Sequence, residues 1–156
     1  MFSTVIKHPI SLTQSAPVVF VQYLAALAIL RGIQTYESGY SDLPVKLKWP
    51  NDIYVLDPNA KSSDNTKYVK IGGILVNSSY SGGDYNLVAG IGINVANDAP
   101  TTSLNAVAKS KGLRAFEMEK LLARILTCFE SIYHTFCREG WSRELEEQYY
   151  RGWLHT

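Results

Sequence analysis

The sequence has almost no net charge and few residues that commonly bind metals. Its 156 residues carry 15 lysines and arginines against 14 aspartates and glutamates, which gives a formal charge of +1 at pH 7. A balance this close creates no field that would favour nucleic acid or an anionic membrane as a partner. The three histidines, His8, His134 and His155, are too scattered to suggest a histidine metal site.

Cysteines and long apolar runs are also scarce. Cys128 and Cys137 are the only two cysteines, and their spacing fits neither a metal site nor a disulfide framework, so we expect reduced core thiols. The longest apolar run, residues 17–30, is interrupted by Gln22 and falls short of the ~20 residues that span a membrane. The first residues contain no apolar stretch of signal-peptide length. We therefore expect a cytoplasmic protein.

With 46% hydrophobic residues, the chain is rich enough in apolar side chains to form one domain over residues 1–156. Alternating apolar residues predict strands, and the spacing of apolar residues elsewhere predicts helices. We expect Ser15 to cap the first helix. The polar segment 57–67 is predicted to be a surface loop, either a tolerated insertion or a lid. The predicted strands are residues 3–6, 45–49, 53–56, 68–79 and 85–95, and the predicted helices are residues 18–30, 101–109, 115–136 and 141–150.

The segment from residue 45 to residue 56 contains the most informative pattern. Its first half alternates as a half-buried strand, with Lys48 on the polar side, and Pro50 then interrupts the strand because it has no N–H to donate. Asn51 and Asp52 follow, before the apolar pattern resumes. An ordinary turn beside an exposed lysine is the alternative to a functional site here.

Glycines lie inside two predicted strands that a Ser-Gly-Gly-Asp turn joins as a hairpin. Because glycine weakens a strand, their number needs a reason, such as a ligand close to the backbone or a bulge. A lysine and an asparagine flank them, which suggests a ligand with an anionic group lying across the sheet. The residues concerned are Lys70, Gly72, Gly73, Gly90, Gly92 and Asn94.

Three segments together resemble the catalytic domain of biotin protein ligases, also called holocarboxylase synthetases. They are KWPND at residues 48–52, KIGGILVN at 70–77 and GIGIN at 90–94, in that order. The long polar insertion is similar to that of the fungal branch. The resemblance implies an α+β fold like that of class II aminoacyl-tRNA synthetases, with a mixed, mostly antiparallel sheet flanked by helices.

The resemblance also implies a reaction and a set of site residues. Such enzymes use ATP and Mg²⁺ to form biotinyl-5′-AMP, and then transfer biotin to a lysine of a biotin-carrier domain, as in acetyl-CoA carboxylase or pyruvate carboxylase. Cationic side chains must neutralise the charge that develops when a carboxylate attacks a phosphate. The implied catalytic residues are Lys70, Lys48 and Asp52, with Asp52 also binding the metal. The implied ligand-binding residues are Asn51 at adenine, Asn94 near the nucleotide and metal, and Gly73, Leu75 and Gly90 around biotin. Gly72 and Gly92 are also implied as ligand-binding residues.

The sequence departs from the family at both ends. The arginine- and glycine-rich loop that grips biotin would precede residue 3, and a small C-terminal β-domain would follow Trp153. We therefore expect a fragment with little or no ligase activity alone. Two other functions remain open: a lipoate–protein ligase, and a non-catalytic fragment that only binds a carrier domain.

Overall fold

A five-stranded antiparallel sheet forms the centre of the molecule in the computed structural model, which describes residues 1–61, 63, 67–97 and 101–155. The strand order is β1-β5-β4-β3-β2. Each strand is antiparallel to its neighbours. The strands are β1 (Phe2–Pro9), β2 (Val45–Lys48), β3 (Asp52–Leu56), β4 (Tyr68–Ser81) and β5 (Asp84–Ile93). This architecture confirms the predicted α+β class.

Helices cover one face of the sheet. They are α1 (Val21–Gln34), α2 (Leu104–Ser110), α3 (Met118–Glu139) and α4 (Arg143–Arg151). Helix α1 is buried on nearly every side, and α3 packs against it, so close that a Cβ on Gly32 would lie 2.7 Å from the Ile125 side chain. Ser103 and Ser142 cap α2 and α4 by accepting a backbone N–H three residues on.

The start of the first helix differs from the prediction. Ser15 caps no helix, and its hydroxyl instead donates to the Leu12 carbonyl. Pro17 is extended (φ −63°, ψ 136°), and a 3-10 turn over Val18–Phe20 follows before α1 begins. Proline disfavours helical backbone at the residue before it, here Ala16, which accounts for the break between the predicted cap and the helix.

Alternation along the strands separates a core face from an open face. Val45 and Leu47 of β2 and Ile53 and Val55 of β3 are buried with α1. On the opposite face, Leu75 of β4 keeps 63% of its surface exposed. The open face is therefore the side of the sheet on which a ligand can reach the strands.

Several smaller predictions can also be compared with the structure. The hairpin turn is confirmed, since Gly82 and Gly83 both have positive φ (62° and 88°), as the type I′ two-residue hairpin turn requires. Cys128 and Cys137 are free, as predicted, but only half-buried. Residues 62 and 64–66 of the predicted polar loop lie outside the described residues. Across the part of the chain that is described, none of the helices is long and apolar enough to cross a bilayer.

Candidate functional site

Four residues that pair across neighbouring strands form a row on the open face. Lys48 pairs with Asp52, Asp52 with Gly73, and Gly73 with Gly92. Since paired residues of antiparallel strands point to the same side, the row runs continuously across β2, β3, β4 and β5. It begins with a cation and a carboxylate and continues over backbone that carries no side chain.

An ion pair links Lys70 to this row. A register shift after Ile53 leaves Lys70 opposite Tyr54, and the lysine Nζ lies 2.7 Å from Asp52 Oδ1. The two side chains keep 52% and 27% of their surface exposed. Because solvent screens such a pair, it contributes on the order of 0–1 kcal/mol to stability. The pair can therefore separate at little cost when a ligand provides other partners.

Lys48 supplies a second cation on the same face. Its Nζ lies 5.2 Å from the centroid of the Tyr54 ring, which is a cation–π distance. Within the described residues, Lys48 makes no ion pair. Two lysines therefore face one carboxylate, which leaves a local excess of positive charge beside the row.

The glycines fall into two groups. A Cβ on Gly92 would meet no atom within 4 Å, and one on Gly90 would meet only the Leu75 carbonyl oxygen, at 3.7 Å. These two leave open space above the sheet, whereas a Cβ on Gly73 would lie in ordinary contact with Asp52 Oδ1 (3.4 Å) and Lys70 Cε (3.8 Å). Gly72 points to the core side, where a Cβ would lie 2.5 Å from the Gly92 carbonyl oxygen. The close approach of two strands explains why residue 72 is glycine, whereas no contact within the described part of the chain explains why residue 92 is glycine.

The two asparagines bond to the backbone around the row. Asn51 Nδ2 donates to the Ile74 carbonyl (2.8 Å), which ties the β2–β3 turn to β4. Asn94 Nδ2 donates to the carbonyls of Asn97 (2.6 Å) and Thr102 (3.0 Å), and its Oδ1 accepts the Asn97 N–H. Both side chains hold the chain beside the site, and their contacts with adenine or nucleotide stay a prediction.

Comparison with known proteins places this geometry in a family. Residues 1–94 match the Biotin/lipoate A/B protein ligase family. The chain belongs to that family. The match includes all five strands and every residue of the row, together with Lys70 and both asparagines.

Named relatives extend over more of the chain. The biotin–protein ligase of Schizosaccharomyces pombe is 39% identical over 99% of this chain, and the chain spans 26% of that relative. The human biotin–protein ligase is 34% identical over 88% of the chain, which spans 18% of it. The chain thus corresponds to about a quarter or less of the length of these two relatives.

Solved structures share the fold. A biotin protein ligase from Aquifex aeolicus, in complex with biotin, superposes with a TM-score of 0.69 at 19% identity, over 99% of this chain and 57% of that one. A biotin protein ligase from Leishmania major, in complex with biotinyl-5-AMP, superposes with a TM-score of 0.64 at 24% identity, over 99% of this chain and 63% of that one. The predicted class II synthetase-like fold is confirmed by this likeness.

Sequence reasoning missed two surface features of this chain. The first is an exposed apolar pair on the open face, four residues along β5 from the row, in which Val5 of β1 lies opposite Val88 of β5, with 66% and 41% of their surfaces exposed. The alternation in β1 could have indicated it. The second is a groove of about 600 Å³ whose lining includes the indole rings of Trp49, Trp141 and Trp153. Their separation in the sequence hides it.

Proposed function

We propose that this chain carries the adenylate-forming part of a biotin–protein ligase. In the first step a biotin carboxylate oxygen attacks the α-phosphate of ATP, the bond to the β-phosphate breaks, and biotinyl-5′-AMP and pyrophosphate form. In the second step a lysine amine of a carrier protein attacks the acyl carbon, AMP leaves, and the amine loses a proton.

One observation carries the proposal: the Lys70–Asp52 ion pair stands beside a strip of backbone that has no side chains. A flat ring system can lie on such a strip, and its carboxylate can then reach the lysine. The names of the relatives support biotin as the acid. Bound biotin with ATP in the Aquifex aeolicus ligase, and bound biotinyl-5-AMP in the Leishmania major ligase, support adenylation as the reaction.

Lys70 is the group that would orient the acid. A ligand carboxylate would compete with Asp52 for Lys70 Nζ, because both are carboxylates and the existing ion pair is half-exposed. The lysine would then stabilise the negative charge that collects between carboxylate and α-phosphate. Lys48, at the end of the row, would neutralise the more distant phosphates.

Asp52 is the residue that would hold Mg²⁺. Magnesium is commonly bound through one or two carboxylates together with substrate phosphates and water. The described residues contain no group of three or more histidines, cysteines, aspartates or glutamates that could hold a metal alone. A single carboxylate beside a phosphate-binding lysine fits that mode of binding. When bound, the ion would offset phosphate charge.

The partners and location in this proposal follow from the chemistry of the family. Carrier domains of the acetyl-CoA carboxylase and pyruvate carboxylase type would supply the acceptor lysine. Cys128 and Cys137, which are unpaired, suit the reducing cytoplasm.

The experiment is a binding titration with a non-hydrolysable analogue of biotinyl-5′-AMP. We expect the chain to bind it, and Lys70→Ala to weaken binding by roughly tenfold to a hundredfold, because a hydrogen bond to a charged group is worth about 1.5–3 kcal/mol. Lys7→Ala is the matched control, since Lys7 is an exposed lysine at the far end of β1. No binding, or equal loss in both variants, would overturn the proposal.

A second readout separates biotin from lipoate, because the family includes ligases for both acids. Pyrophosphate release from ATP is measured with each acid in turn in the completed enzyme, because we expect little or no ligase activity from this chain alone. Release driven by lipoate alone would replace the proposed substrate. Carrier binding that Lys70→Ala leaves unchanged, with no ATP-dependent step, would instead favour the non-catalytic function.

A further inference from the structure

The three tryptophans of the sequence all line one groove beside the β2–β3 turn. Trp49 belongs to that turn, Trp141 precedes α4, and Trp153 follows it. The segment around Trp153 extends the sheet, because Leu47 donates to the Gly152 carbonyl and accepts from Leu154 N, both within 2.9 Å. The groove is therefore built on the same strand that positions Lys48.

The wall of the groove is a connected set of aromatic rings. Tyr149 packs edge-on against Trp141, with 6.0 Å between ring centroids, and Tyr150 lies 5.1 Å from Trp153. Trp49 donates its indole N–H to the Tyr23 hydroxyl at 3.2 Å, which holds it at the rim with 56% of its surface exposed. A concavity of about 600 Å³ with this lining is within the size range of binding pockets.

One carboxylate in the groove lacks a counter-charge. Glu146 is half-buried in the wall and, within the described residues, has no ion-pair or side-chain hydrogen-bond partner. The nearby cations have other partners, since Arg143 and Arg151 form ion pairs with Glu147; Gln148 Nε2 donates to Glu144. Among the described residues that line the groove, His155 is the one basic side chain; it packs edge-on against Trp153, with 5.6 Å between ring centroids, and makes no ion pair with Glu146.

We propose that this groove docks an arginine or lysine side chain of a partner polypeptide. Aromatic faces attract cations through their quadrupoles, and the attraction strengthens when water is excluded. A half-buried carboxylate among such rings completes a cation site, because its charge-assisted hydrogen bond with the incoming cation offsets the hydration that the carboxylate has lost. Exposed tryptophan and tyrosine are also the residues that anchor protein interfaces. This inference does not depend on the adenylation chemistry proposed above.

The experiment uses the intrinsic fluorescence of the whole chain, because every tryptophan reports on the groove. A short blocked peptide with one arginine among glycines and serines is titrated, beside a peptide with glutamine in its place. We expect saturable changes in emission with the arginine peptide only. The affinity for that peptide should decrease at high salt, because salt screens the interaction between the charges.

Glu146→Gln tests the charge directly. The substitution should weaken binding of the arginine peptide by about tenfold, because it removes roughly one charge-assisted hydrogen bond. Glu130→Gln is the matched control, because Glu130 is exposed on α3 and outside the groove. Far-UV circular dichroism confirms that both variants fold.

Two results with the unmodified chain would overturn the proposal. In the first, the arginine peptide does not change the tryptophan emission; in the second, the glutamine peptide changes it equally. Emission that instead changes with protein concentration, together with a dimer in sedimentation, would show that a second copy covers the groove, and would also overturn it.

Discussion

Replacing Gly72 with alanine should destabilise the sheet. The added Cβ would lie 2.5 Å from the Gly92 carbonyl oxygen and 3.3 Å from Ile93 Cα. Both atoms belong to the backbone of β5, so no rotation of a side chain can relieve the contact. The two strands must shift apart at their pairing of Gly72 with Ile93, in the middle of the sheet.

The expected loss is about 1–3 kcal/mol in the free energy of unfolding, the usual range for one extra carbon in a packed site. For a chain of this length each kcal/mol lowers Tm by roughly 2–4 °C, so we expect a decrease of about 2–12 °C. This decrease in Tm is measured by thermal unfolding monitored with far-UV circular dichroism.

Gly92→Ala is the matched control, because a Cβ there meets no atom within 4 Å. Its Tm should equal or slightly exceed that of the wild type, since alanine restricts the unfolded chain. The same variant should weaken binding of the adenylate analogue, because its methyl group projects into the open face. The reasoning fails if Gly72→Ala leaves Tm unchanged, or if both variants lose stability equally.

Two further predictions concern charged residues. Asp52→Asn should weaken Mg²⁺-dependent binding of ATP in calorimetry while leaving Tm nearly unchanged, because the ion pair it breaks is half-exposed; a large drop in Tm would contradict this. Hydrogen bonds from Lys120, then Arg114, lower the pKa of Glu37 below its usual 4.5, so the stabilisation from these contacts is fully present above that usual value and is lost as pH falls through the lowered pKa. The Tm difference between wild type and Glu37→Gln should therefore vanish in acid, and a difference that persists there would refute the assignment.

Local patterns were sufficient to predict most of the elements. Alternation around Lys48 and Asp52 predicted β2 and β3, and the Gly82-Gly83 turn predicted the hairpin, because strand period and turn geometry depend on neighbouring residues alone. The predicted start of α1 was wrong, because the spacing of apolar residues does not reveal that the backbone is extended at Pro17.

The candidate site could be predicted only in part. That Gly72 and Gly73 serve different purposes depends on which side of the sheet each faces. The register shift between Ile53 and Tyr54 alters that side, and only the paired strand determines it. The groove with Trp49 and Trp153 was missed because it joins residues about a hundred positions apart.

The contacts of the polar residues suggest which of them would move when a ligand binds. Freeing Asn51 Nδ2 would leave the Ile74 carbonyl without its partly buried partner, at a cost of about 1–3 kcal/mol. Separating Lys70 from Asp52 costs on the order of 0–1 kcal/mol, because water already reaches both groups. The lysine and the aspartate are therefore the groups that can exchange partners, whereas Asn51 Nδ2 acts as scaffold. Because Ile74 occupies only one N–H of the Asn51 amide, a contact with adenine could use the amide oxygen, which accepts from the adenine amino group, or the remaining N–H, which donates to a ring nitrogen of adenine.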